Sequence, residues 1–122
     1  MEARKVILYG QSMLLSLVAA NLAHDTNLSV LQAASWEEVV ALTSEFPPDV
    51  LIYDLASATE SHILPLLFQN PYLLLIGLDV EANRAVLHTG QETQRLTLER
   101  VKEIVESSQT LIEKQQRKEN NH

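Results

Sequence analysis

Pro47-Pro48-Asp49-Val50-Leu51-Ile52-Tyr53-Asp54-Leu55 is the stretch that decides the fold. Two prolines stop whatever precedes them. An unbroken apolar run then ends in a carboxylate. A short continuous apolar run bounded by breakers suits a strand covered on both faces, as in a parallel sheet with helices on either side. A carboxylate at the C-terminal end of such a strand lies at the edge where open α/β sheets form their ligand crevice. Asp54 is therefore the first candidate functional residue.

Working outward, the periodicity alternates between strand and helix. Residues 5–9 (KVILY) form a short strand that ends at Gly10. Residues 11–24 carry Leu14, Leu15, Val18 and Leu22 at helical spacing. Leu28, Val30 and Leu31 make a second strand. Ser35 followed by Glu38 is a capping-box signature, and the helix it opens runs to Phe46, where the prolines end it. Beyond the third strand, residues 57–69 read as a helix with a late start or a kink at Pro65. Residues 72–76 form a fourth strand ending at Gly77, and residues 84–88 a fifth. Gly90 breaks the chain, and Thr97 caps a helix from Leu98 to about Lys114.

The order β-α-β-α-β-α-β-β-α predicts a three-layer α-β-α domain, with a mostly parallel five-stranded sheet and right-handed crossovers. Residues 78–83 are too few to return to a parallel neighbour, which takes about ten or more. The fourth and fifth strands are thus joined as an antiparallel hairpin or in some other unusual way, with no helix between them. Residues 1–114 form one domain, and residues 115–122 are a polar tail expected to be disordered.

Composition narrows the chemistry. A chain of 122 residues, 46% hydrophobic and 20% charged, can bury a single core. The net charge of -7 argues against a nucleic-acid groove, which needs a basic patch. With no cysteine there are no disulfides, no thiolate catalysis and no cysteine zinc site. No apolar run reaches membrane-spanning length, and the N-terminus carries no signal-peptide pattern, so a cytoplasmic protein without membrane contact is expected.

Over residues 4–108 the element order and spacing resemble the receiver domain of bacterial response regulators, a flavodoxin-like fold. "KVILYGQSMLLSLV" looks like the family's first strand and helix, "PPDVLIYDL" like its third strand, and "NPYLLLIGLD" like its fourth. The resemblance puts Asp54 at the phospho-acceptor position. The rest of that site departs from the pattern. The family's two Mg²⁺-binding acids fall at Gly10 and Gln11, its strand-four Ser or Thr at Ile76-Gly77, and "RAVLHTG" has no Lys where the family's Lys belongs. The resemblance thus implies a degenerate receiver, or pseudo-receiver.

Phosphoryl transfer to a carboxylate needs a metal to neutralise the phosphoryl oxygens, and Mg²⁺ is held by carboxylates and waters. A glycine and a neutral amide do not supply that. Asp54 reads either as a structural carboxylate, capping the Ser57-Ala58 turn or accepting backbone N–H groups, or as a candidate phospho-acceptor in an unusual site. The expectation is a non-catalytic, receiver-like interaction module in signal transduction or regulation, not phosphorylated, with no cofactor and no metal. The alternative is an atypical phospho-accepting response regulator using Asp54.

Other candidates are thinner. Gly10, Gln11, Gly77 and His88 are expected to line the crevice, with His88 facing Asp54 across it. His24, His62 and His88 lack metal-ligand spacing, and Ser12, Ser57 and Thr59 have no evident base partner. Gly10-Gln11-Ser12 fails both glycine-rich phosphate fingerprints. Trp36 reads as a packing residue. In the last helix, Leu98, Val101, Val105, Leu111 and Ile112 make an apolar stripe longer than a helix needs to cross the sheet. That stripe is the expected interface for a protein partner, or for a second copy in a homodimer.

Overall fold

A computed structural model describes residues 4–45, 47–88 and 93–106. In chain order they form β1 (Arg4–Tyr9), α1 (Met13–Ala23), β2 (Leu28–Ala33), α2 (Trp36–Glu45), β3 (Val50–Asp54), a 3₁₀ turn (Leu55–Ser57), α3 (Glu60–Gln69), β4 (Leu74–Asp79), β5 (Arg84–His88), β6 (Thr93–Leu96) and α4 (Leu98–Glu106). The sheet order is β2-β1-β3-β4-β5-β6. β1 pairs in parallel with β2 and β3, and β3 with β4, whereas β4–β5 and β5–β6 are antiparallel.

The α/β class follows the alternating pattern, but the sheet is mixed and six-stranded rather than mostly parallel and five-stranded. The missed strand is β6. Thr93-Gln94-Arg95-Leu96 has no apolar alternation, because a short edge strand buries little. Gly90 read as a simple break, but it stands between two strands that pair directly, His88 opposite Thr93. The β4–β5 connection is an antiparallel hairpin, with Asp79 opposite Arg84 and Leu75 opposite His88. β4 starts and ends later than its apolar run suggests, so Gly77 is an interior position paired with Tyr53 and Val86.

Two apolar layers sit on opposite faces of the sheet. On one face Val6, Leu8, Val50, Ile52, Leu74, Ile76 and Leu78 pack with Leu15, Val18 and Leu22 of α1 and Val101, Ile104 and Val105 of α4. On the other, Ile7, Leu51, Tyr53, Leu73 and Leu75 pack with Val39 of α2 and Ile63 and Leu66 of α3. Every residue of β3 is buried, as expected for a strand with helices on both sides.

The caps explain the helix starts. Ser35 Oγ accepts the Glu38 N–H, and the Glu38 carboxylate accepts the Ala34 N–H, one residue before the usual capping-box partner. α3 starts late, at Glu60, and carries Pro65 inside it on the solvent side, where water can satisfy the backbone acceptor that the proline leaves without a donor. α4 is described to Glu106. The expected continuation to Lys114 and the tail at 115–122 lie outside the described residues.

Candidate functional site

Asp54 ends β3 at the carboxyl edge of the parallel strands, beside the point where the chain leaves β1 for β2 on one side and β3 on the other. Alternation along β3 turns Val50, Ile52 and Asp54 toward the α1 face. Asp54 is 4% exposed. Its Oδ2 accepts the backbone N–H groups of Gln11 at 3.1 Å and Ser12 at 3.0 Å. Its Oδ1 accepts the Ser12 hydroxyl at 2.5 Å. Ser12 is the N-cap of α1, and the same Oγ accepts the Leu15 N–H at 3.0 Å. The carboxylate therefore satisfies donors at the entry to α1, where the helix dipole favours negative charge. It makes no side-chain bond to the 3₁₀ turn that follows it, so of the two structural roles expected, the capping of Ser57-Ala58 is absent and the acceptance of backbone N–H groups is present.

Gly10 makes this contact possible. Its φ is 141°, a backbone conformation that side chains disfavour. A Cβ at that position would lie inside the Asp54 carboxyl group. The position that the receiver pattern gives to a metal-binding acid is filled here by the carboxylate of Asp54 itself.

Next to this lock is a cleft of about 450 Å³ lined by Tyr9, Gly10, Gln11, Gln32, Ala33, Ala34 and Ser57. None of these side chains carries a charge. Asp54 lies beneath the surface and does not line it. The residues do not fit Mg²⁺. A hard cation needs several oxygen donors, and both oxygens of Asp54 face hydrogen-bond donors. Among the described residues no three His, Asp or Glu side chains come together.

The structure brings together Gly10, Gln11 and Asp54 but not the other two crevice residues. Gly77 is turned to the opposite face, where a Cβ would meet Leu55 and the Tyr53 ring. His88 is at the wrong end of its strand to face Asp54. β5 runs antiparallel, so its C-terminal residue pairs with Leu75, whereas Asp54 pairs with Leu78. Burial lowers the His88 pKa below the ordinary 6.5, and it raises that of the Tyr53 phenol to about 12. His62 serves as a local cap, its Nδ1 accepting the Thr59 N–H at 3.3 Å. Trp36 packs edge-on against Tyr9, centroids 5.6 Å apart, and against the His62 ring at 5.1 Å.

The helix stripe is corrected too. Val101 and Val105 are 1% and 0% exposed and belong to this chain's own core, which removes them from any outside interface. Leu98 is the first residue of α4. Leu111 and Ile112 lie outside the described residues. The sequence pattern offered Ser12 as a nucleophile or as part of a phosphate loop, and not as the cap it is. The available signal was a serine immediately ahead of the helical run that starts at Met13.

Compared with protein families, with curated proteins and with solved structures, the chain gives no match. Among the described residues no helix is long and apolar enough to cross a membrane.

Proposed function

We propose that this chain is a flavodoxin-like, degenerate receiver without the fourth helix, acting as a non-catalytic protein-interaction module in signalling or regulation and not using Asp54 as a phospho-acceptor. One observation carries the reading: both oxygens of Asp54 are engaged by Gln11 and Ser12, over a glycine that leaves no room for a neighbouring acid. An attacking carboxylate oxygen needs open access to the phosphorus and a metal beside it. The uncharged cleft supplies neither a cation nor the ligands for one. With phosphoryl chemistry set aside, a sheet edge and helix faces remain as means of acting on another protein.

Incubation with a small phosphodonor and millimolar Mg²⁺, read by intact mass, tests this. The mass should be unchanged. A gain of one phosphoryl group, lost in Asp54→Asn, would replace this reading with that of an atypical phospho-accepting regulator.

A further inference from the structure

The β4–β5 hairpin has a consequence on the α3 face of the sheet. A crossover helix at this point would cover β4 and β5. Among the described residues α2 and α3 cover β1, β3 and β4 on this face, and no helix lies over β5 and β6. The floor left there is apolar at its centre. Val86 stands beside Gly77 in register, and Gly77 beside Tyr53. The wall is the outer side of α3, where Leu64 is 48% exposed and Phe68, one turn on, 82%. Between floor and wall is a groove of about 440 Å³ lined by Tyr53, Leu55, Ile63, Leu64, Leu67 and His88, among others. An exposed apolar surface of this kind marks an interaction site.

Beside the groove, the uncovered face of β5 and β6 forms a rim that carries two arginines on an acidic chain. Arg84, Val86 and His88 alternate onto this face, and Arg95 is directly opposite Val86. Arg84 and Arg95 are both exposed, and neither forms an ion pair with a carboxylate among the described residues. Asp79 stands across from Arg84, but its Oδ1 accepts the Ala82 N–H and closes the hairpin turn. Among the described residues no acidic side chain lines the groove. The net charge of the whole chain is -7, so two exposed arginines on one sheet face, with Asp79 the acid across from Arg84, are a local concentration of positive charge.

We infer that this groove docks an acidic amphipathic helix of a partner protein, which lies across β5 and β6 beside α3 in the place of the missing crossover helix. Its apolar stripe covers Val86, Leu64 and Phe68, and its carboxylates meet Arg84 and Arg95. The partner class follows from charge. Residues 107–122 of this chain carry three basic and two acidic side chains, the wrong sign for the rim. They also follow α4, which packs on the opposite face. The inference rests on the interaction-module reading and gives that module a partner class.

A displayed library of amphipathic helical peptides, randomised in the charges of the polar face, tests it against the full chain. Selection on the wild type should enrich net-acidic peptides, with amide shifts at Val86, His88, Leu64 and Leu67. Arg84→Glu with Arg95→Glu, both at exposed positions, should keep the folded spectrum. The double variant should weaken the selected peptides about tenfold or more and turn the preference toward basic sequences. No enrichment, enrichment without acidic bias, shifts confined to another face, or indifference to the double variant would each overturn the proposal. So would a wild-type dimer that the double variant dissociates, because the occupant would then be a second copy. Phosphorylation of Asp54 would undo the interaction-module reading without altering the selection, and a failed selection would leave the Asp54 lock in place.

Discussion

Asp54 shows how one residue type in one place can serve two chemistries. The carboxylate that a phosphorylation site would expose is turned here into a cap for the first helix. Asp54→Ala leaves three donors in a buried place and should cost about 3 kcal/mol in urea unfolding. Asp54→Asn can keep the two backbone bonds through its carbonyl but faces the Ser12 hydroxyl with an amide, so about 1–2 kcal/mol is expected. Gly10→Ala should cost about 2 kcal/mol or more, through backbone strain and overlap with Asp54. Gly10→Asp, which restores an acid by sequence, should cost at least as much as Gly10→Ala and give no saturable Mg²⁺-dependent amide shifts. A tight Mg²⁺ site in that variant would mean that Asp54 swings away easily and that the lock is weak.

At the scale of elements, two strands carry titratable groups whose environments make stability depend on pH. Burial holds the His88 pKa below 6.5, so the unfolded chain takes up a proton first as pH falls. Stability should therefore drop as pH falls through 6.5 toward the folded value, and His88→Gln should flatten that slope. Tyr53 has the opposite sign. Its folded pKa of about 12 exceeds the ordinary 10.0, so its contribution is present below pH 10.0 and is lost as pH rises toward 12. Tyr53→Phe should remove the loss, as read by thermal melts across that range. In α4, Val105→Ala should cost about 2 kcal/mol and leave sedimentation unchanged, because this residue faces its own sheet. A change of oligomeric state in Val105→Ala with unaltered stability would place the residue at an interface instead.

At the scale of the whole molecule, β5 reverses the direction that the first four strands established, and β6 restores it. The antiparallel turn sets His88 three register positions back from Asp54 and uncovers the groove beside α3. Self-association through Leu111 and Ile112, which lie outside the described residues, is a separate proposal. Leu111→Glu with Ile112→Glu should convert a dimer to a monomer in sedimentation with little loss of helical signal. A wild type that sediments as a monomer at high concentration would dispose of that idea.

The sequence by itself determined the alternation of strands and helices, the bounds of β3 and β5, the cap at Ser35 and a connection after β4 too short to hold a helix. Each of these is a local property: an apolar run, a capping side chain, or a connection too short to cross over. It also showed that Gly10 and Gln11 cannot hold a metal as two acids do. Only the tertiary structure decided where the Asp54 carboxylate points. That depends on a φ of 141° at Gly10 and on a serine more than forty positions upstream, brought together by the β1–β3 pairing. It likewise decided that β6 exists, since Thr93-Gln94-Arg95-Leu96 has no pattern of its own and takes its form from the ladder it joins. Val101 and Val105 looked like half of an exposed stripe for the same reason: periodicity reveals an apolar face but not which surface covers it.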